Sequence, residues 1–362
     1  MKLLYYTLLA VTCLVSGCKK TITDPQPSLP LQTTYSFSNV NYSGQTTRID
    51  MLEEMAVYMK TANTTGTSIS ATVLKNMYAN LGSPFSDMNL NNSGKQLKNK
   101  TYALDIPMFE AYMDSIDFAS QSMAAGSNGV AGVVTSPSNP TKKYLCGANG
   151  VEYMQLIEKG LMGAVFAYQV TDYYLSPSQI GNSVDNATVL PGEGTPMEHH
   201  WDEAFGYFGC PIDFPTNTTG IVYWAKYSNT VNPPLNCNNN MMRAFIAGRG
   251  AISGHNYAAR DAKAEILRKG WDEICAATTI HYLNEALANY GDDAVRNHSL
   301  SEGIAFAMSL KYNPLKKISA SDHQLLLSYF GSNFYTISVS SINNAKNLLG
   351  SIYGFELIQN AL

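Results

Sequence analysis

The chain has 362 residues, a formal net charge of −4 and only 14% charged residues. No basic stripe exists to neutralise phosphates, which excludes a nucleic-acid partner. The length allows one large core or two smaller ones, and the 23 tyrosines suit an extracytoplasmic protein whose polar surface rests on Tyr, Asn, Ser and Thr.

The first residues address the location. Lys2 precedes an apolar stretch, Leu3 to Val15, that is too short to stay in a bilayer as a span. It ends in Val15-Ser16-Gly17-Cys18, which resembles the bacterial lipobox. Residues 1–17 therefore read as a lipoprotein signal peptide and Cys18 as the acylated residue that anchors the chain to the membrane. Lys19 in the following position favours the outer membrane, with the body at its periplasmic face. Residues 18–36, rich in Thr, Pro, Gln and Ser, read as a flexible tether, and 37–362 as the folded body. No later apolar run is long enough for a transmembrane helix. Beyond Cys18, four cysteines remain in this part of the chain: Cys146, Cys210, Cys237 and Cys275. No C-x-x-C occurs among them, which argues against a zinc knuckle. Cys210 and Cys237 are the expected pair if a bridge forms, and unpaired buried thiols are the equal alternative.

The periodicity along the body is helical. Residues 47–61 place Ile49, Leu52, Ala56 and Met59 on one face, and residues 106–124 do so with Met108, Phe109, Tyr112, Ile116 and Ala119. Residues 151–175 read as one long apolar helix ended by Ser176-Pro177. Long loops are expected at 176–194 and 211–238, framing a short helix between them; Tyr223-Trp224 in the second would serve as a lid or cover a core edge. Residues 239–290 form two or more helical segments, with Gly248, Gly250 and Gly254 as weak points. Ser299 with Glu302 reads as a capping box opening a helix to about Lys311. Shorter helices follow at 320–330 and 341–360. No sustained alternation suggests a sheet. The expected fold is mainly α, with two packed helical-bundle lobes. An echo supports the lobes: Leu156-Ile157-Glu158-Lys159-Gly160 and Ile266-Leu267-Arg268-Lys269-Gly270 lie 110 residues apart, as an internal duplication would leave them.

Residues 195–209, TPMEHHWDEAFGYFG, concentrate the chemistry. Thr195 is placed as N-cap, Pro196 at the first helical position and Glu198 as the partner of a capping box; Gly209 and Pro211 supply the stop. Met197, Trp201, Ala204, Phe205 and Phe208 form an apolar stripe. Glu198, His199 and Asp202 fall on the other faces, and Glu198 reads as a surface residue. His200 and Glu203, one turn apart at the flank of the stripe, are either an ion pair or part of a metal site. His199 stands one turn from Glu203 as well, nearer the solvent face.

His200-Trp201-Asp202-Glu203 resembles the H-x-x-E signature of the imelysin family. The strings Tyr35-x-Phe37-x-Asn39-Val40-x-Tyr42-Ser43-Gly44-Gln45-Thr46, Ser93-Gly94-Lys95-Gln96-Leu97 and HHWDEAFGYFG are similar to an uncharacterised group of Gram-negative lipoproteins related to imelysins. The resemblance implies two helical bundles and a link to iron acquisition, with proteolysis as the activity behind the family's name. Glu198 stands where the fuller G-x-H-x-x-E signature has glycine.

These residues together give the expected function: a lipid-anchored periplasmic protein that binds a metal ion or metal-containing ligand, iron or haem above others, with an outer-membrane transporter or iron-uptake protein as partner. The expected ligands are His200 and Glu203, with His199 and Asp202 beside them. A pair cannot complete a metal shell, so Asp172, at the end of one long helix, and His281 with Glu285 on another are further candidates, as are Glu53 and Glu54. His255 is expected to be buried by hydrogen bonding, and His298 and His323 to be solvated. The alternatives are a metallopeptidase-like protein, although H-E-x-x-H is missing, and a glycan-binding or structural surface lipoprotein.

Overall fold

The computed structural model describes residues 32–362 of the protein. The expected signal peptide (1–17), the expected lipidation residue Cys18 and most of the expected tether lie outside the described residues. The fold is mainly α. Helices α1 (Ser43–Lys60), α2 (Ala71–Ala79), α3 (Met88–Asn92) and α4 (Ile106–Ser120) lead to a two-stranded antiparallel hairpin, β1 (Gly132–Thr135) and β2 (Lys143–Cys146). Then come α5 (Tyr153–Leu161), the single turn α6 (Pro177–Ile180), the motif helix α7 (Pro196–Gly206), α8 (Tyr223–Leu235), α9 (Cys237–Ser253), α10 (Tyr257–Ala288), α11 (Asp293–Ser309), α12 (Ala320–Phe330) and α13 (Val339–Tyr353). The hairpin is an element that the helical reading omitted. Its strands have four residues each, too few for an alternating pattern to stand out.

The 32-residue α10 is the axis of the fold, packing along α9 on one side and α11 on another. The expected break near Gly254 is present. Gly254 caps α9, His255 takes a left-handed backbone (φ 54°), and the Asn256 side chain accepts from the Ala259 N–H to start α10. One large core runs through the described residues, which cluster as one compact unit. The pentapeptide echo does not extend to environment. Lys159 is buried against Glu158 and Glu302, whereas Lys269 is exposed and pairs with Glu265 within its own helix.

Three indoles are buried at the centre. Trp201 donates Nε1 to the Phe245 carbonyl at 3.0 Å, and Trp224 donates to that of Met162 at 3.0 Å. Trp224 packs on Trp271 with ring centroids 5.4 Å apart, so of the two expected roles, lid or core cover, it takes the core one. Gly248 gives α9 its close approach: a Cβ there would fall 2.0 Å from the Trp201 ring.

Three boundaries differ from the sequence reading. Residues 151–175 are not one regular helix: after α5 the chain winds as π-helix over Met162–Ala167 and Gln169–Tyr174. Carbonyls of this stretch accept from outside it, Met162 from Trp224, Ala164 from the Tyr102 N–H and Thr171 from Arg268. The wider winding turns the end of the segment, and with it Tyr174, toward α7. Helix α8 occupies what read as a loop, because Pro233 and Pro234 mask its helical spacing. Helix α11 starts at Asp293, capped by the Asp292 side chain, and Ser299 lies inside, bonded to the Val295 carbonyl, so Ser299–Glu302 is no capping box. No helix of the described residues is long and apolar enough to cross a membrane. Cys146, Cys210, Cys237 and Cys275 are all free, so the Cys210–Cys237 bridge does not form.

Candidate functional site

Helix α7 begins as its sequence dictates. The Thr195 hydroxyl accepts from the Glu198 N–H at 3.2 Å, and Glu198 Oε2 accepts from the Thr195 N–H at 3.0 Å. Glu198 is nevertheless not a surface residue. Its other oxygen accepts from Arg249 and, at 2.6 Å, from the Ser253 hydroxyl. Burial pushes its carboxyl upward, but the Ser253 and Thr195 hydrogen bonds and Arg249 hold it below the usual carboxylate range.

Asp202 also departs from expectation. It is fully buried, accepts from Arg249 Nε at 2.9 Å and from the Tyr35 hydroxyl at 2.5 Å, and so has no access to a ligand. Burial raises its carboxyl to about 6 against the pull of Arg249. Tyr35, placed by sequence in the tether, is thus a core residue, stacked on Phe205 at 3.8 Å between centroids. The ordered body begins before residue 37.

The quoted sequence strings meet at α7. Phe37 lies under the Arg249 guanidinium at 5.1 Å, Asn39 accepts from the Gly192 N–H at 3.2 Å, and Tyr42 packs on Phe205. Gly206 lets α1 and α7 touch, since a Cβ there would come within 2.5 Å of Tyr42 Cβ. Gln45 donates Nε2 to Glu203 Oε1 at 2.8 Å, and the Tyr174 hydroxyl donates to the same oxygen at 3.1 Å. Arg48, next along α1, donates Nε to the Gln96 carbonyl at 2.8 Å and so holds the Ser93–Leu97 string beside the site.

The result is a polar cleft of about 260 Å³. Its walls include Arg48, Lys95, Lys100, Tyr174, His199 and Glu203. His199 is the histidine on the cleft. Its Nε2 lies 3.9 Å from Glu203 Oε2, and its Nδ1 is buried without a protein partner. His200, favoured by sequence, does not line it. The His200 Nδ1–H donates to the Gln179 carbonyl at 2.7 Å, and that bond turns the ring toward α6. Helical spacing puts both histidines one turn or less from Glu203; the π-wound segment and α6 decide which one reaches the opening. Lys100 sits over the rings of Tyr173 and Tyr174 and its ammonium pKa is lowered, first by burial and then by the charges of Arg48 and Lys95.

The remaining candidates are elsewhere. Asp172 is exposed near Arg268. His281 and Glu285 form their own pair on α10 at 3.7 Å. Glu54 accepts from the Ser86 and Asp87 N–H groups, and Glu53 lines a different cavity. None of these lines the α7 cleft. His255 is exposed, not buried, and His298 is paired with Glu152 at 2.6 Å instead of solvated; His323 is half-buried, bonded to the Ala307 carbonyl. Among the described residues no three His, Cys, Asp or Glu side chains come together as a metal-binding group. His199 and Glu203 offer two donors, which does not fit a resident metal ion. Arg48, Arg249 and Tyr174 were missed by sequence reading because their roles depend on contacts across long separations. Gln45 and Lys95 stood inside the quoted strings and could have been found there.

No curated protein and no solved structure matches the chain. Residues 32–322 match the family described as "Domain of unknown function (DUF4856)", which takes in every element from Tyr35 through α11. The chain belongs to the DUF4856 family.

Proposed function

We propose that the α7 cleft binds a small, multiply charged anion, and that a metal ion carried as a carboxylate chelate is the form that engages the whole site. The observation that carries this reading is the convergence of Arg48, Lys95 and Lys100 on a cleft whose lining carboxylates are only Glu193 and Glu203. Three cations crowded on one cleft favour an anion; the Lys100 ammonium pKa is lowered first by its burial and then by the charges of Arg48 and Lys95, and a bound anion would offset both. A bare divalent ion would meet the same repulsion with two donors to hold it. A chelated ion arrives with most of its shell filled, its carboxylates suit the basic wall, and His199 with Glu203 can take an open position. The volume lies below the roughly 300–1,000 Å³ of pockets for larger organic ligands, which favours a citrate-sized ligand over haem.

On this reading the chain is a binding protein, lipid-anchored through Cys18 at the periplasmic face of the outer membrane, that passes its ligand to an uptake partner. The lipobox and the likeness of the H-x-x-E helix to imelysins support that setting. Titration calorimetry of citrate, ferric citrate, free zinc and haem into the mature chain is the test. Ferric citrate is expected to bind most tightly, citrate more weakly, and zinc and haem not at this cleft. Binding of free zinc in preference to both citrate forms would overturn the proposal.

A further inference from the structure

A cavity of about 780 Å³ shares no lining residue with the α7 cleft. Its walls come from the second half of α1, β2, α5, α8 and α11. The volume lies within the range of organic-ligand pockets. Two features of its lining indicate what it would hold.

The first is charge compensation. His298 Nδ1 is 2.6 Å from Glu152 Oε2, and its Nε2 is 3.9 Å from Glu302 Oε2. Burial lowers the His298 pKa, but the adjacent Glu152 and then Glu302 raise it above the ordinary imidazole value. Lys159 is likewise held between Glu158 at 2.9 Å and Glu302 at 3.5 Å. Over the whole lining, the carboxylates of Glu53, Glu152 and Glu158 face the ammoniums of Lys60, Lys159 and Lys226. Neither sign is in excess beyond the histidine, and the buried charges already have partners, so the wall does not select an ion.

The second is unmet hydrogen bonding. Tyr223 and Gln155 line the cavity, each only 5% exposed, and the Tyr223 hydroxyl and Gln155 Oε1 have no protein partner. Buried polar atoms left in this way are costly unless something else bonds to them. One of these atoms is a donor and the other accepts only, and a hydroxyl group is the common group that serves both. Between them the cavity offers apolar surface, Met154, Ile221 and Val222, with the rings of Tyr144 and Tyr227. A saccharide presents hydroxyl edges and C–H faces in the same alternation.

We infer that this cavity is a second binding site, for a neutral, hydroxyl-rich ligand of the short-oligosaccharide class. Its test uses the mature chain with saturation-transfer NMR and calorimetry against maltohexaose, cellohexaose and chitotetraose, with spermidine as the cationic comparator. At least one oligosaccharide is expected to bind. Tyr223→Phe removes one unpartnered hydroxyl and keeps the ring, so the variant should fold, retain or raise its melting temperature, and weaken that saccharide roughly three- to tenfold. Lys95→Met, in the α7 cleft, should leave saccharide affinity unchanged while weakening citrate, so each site can fail without the other. The inference is overturned if the folded wild type binds none of the three, if Tyr223→Phe binds as well as wild type, or if spermidine alone binds.

Discussion

Gln45 and Glu203, 158 residues apart in sequence, are joined by a 2.8 Å hydrogen bond between helices α1 and α7. The same Glu203 oxygen takes the Tyr174 hydroxyl, and Gln45 also donates to that hydroxyl at 3.1 Å. One carboxylate oxygen is thus fixed from two other elements, and the second is directed at His199. Gln45→Leu should leave Glu203 with one donor and free to swing. A hydrogen bond to a charged group contributes about 1.5–3 kcal/mol. Ferric citrate affinity should fall about tenfold or more while circular dichroism shows the helix content unchanged.

The buried Arg249 holds two carboxylates of α7, Glu198 and Asp202, and its substitution is the most damaging one at this face. Arg249→Met leaves Asp202 without a counter-charge in the core and should cost about 3–5 kcal/mol. Asp202→Asn should cost less, because Arg249 retains Glu198. Urea unfolding of the two variants checks the order.

Gly206 marks the closest approach of α7 to α1. In Gly206→Ala the new methyl meets Tyr42 Cβ, a backbone-near atom that cannot swing away. A destabilisation of about 1–3 kcal/mol is expected, together with weaker citrate binding, because α1 carries both Gln45 and Arg48. Gly291→Ala, where a methyl would meet nothing within 4 Å, is the control and should change neither thermal unfolding nor calorimetry.

Stability should be greater at pH 5 than at pH 7.5. Burial raises the carboxyls of Asp202 and Asp272 to about 6 in the folded protein from an ordinary 3.8. Their charged forms are disfavoured in the fold, so that penalty is relieved as pH falls from about 6 toward 3.8. The pKa of His298 is raised from 6.5, chiefly by Glu152 against burial; its stabilisation is complete below 6.5 and lost as pH rises through the folded value. All three act in the same direction. The lowered Glu198 acts oppositely, its contribution being lost only as pH falls below 4.5. Differential scanning calorimetry should show a melting temperature higher at pH 5 by on the order of a few degrees, and the Asp202→Asn variant should show a smaller difference.

The mainly α fold was legible because apolar spacing and capping residues are local signals. Thr195, Pro196 and Glu198 specify the start of α7 by themselves, and the structure has that capping box. What sequence could not give is which face of α7 meets which neighbour. Asp202 looked like a candidate ligand and is instead buried, because Arg249 reaches it from α9, 47 residues later. His200 and His199 have nearly equal helical relations to Glu203, and the choice between them rests on the Gln179 carbonyl. The π-winding that presents Tyr174 leaves no mark in apolar periodicity, since nearly every side chain from Met162 to Val170 is buried. The 780 Å³ cavity was likewise invisible, being assembled from five elements distant in sequence.

The central claim is that the α7 cleft recognises charge on a small anion and uses His199, not His200, for the metal it carries. Calorimetric titration of citrate and ferric citrate into wild type, Lys95→Met, His199→Ala and His200→Ala tests it most directly. Lys95→Met should weaken both ligands by about tenfold. His199→Ala should weaken ferric citrate and leave citrate nearly unchanged, and His200→Ala should leave the cleft's affinity for both within about threefold, each threefold step being about 0.65 kcal/mol. Equal affinities of all four proteins for both ligands, or loss of ferric citrate in His200→Ala alone, would contradict the account.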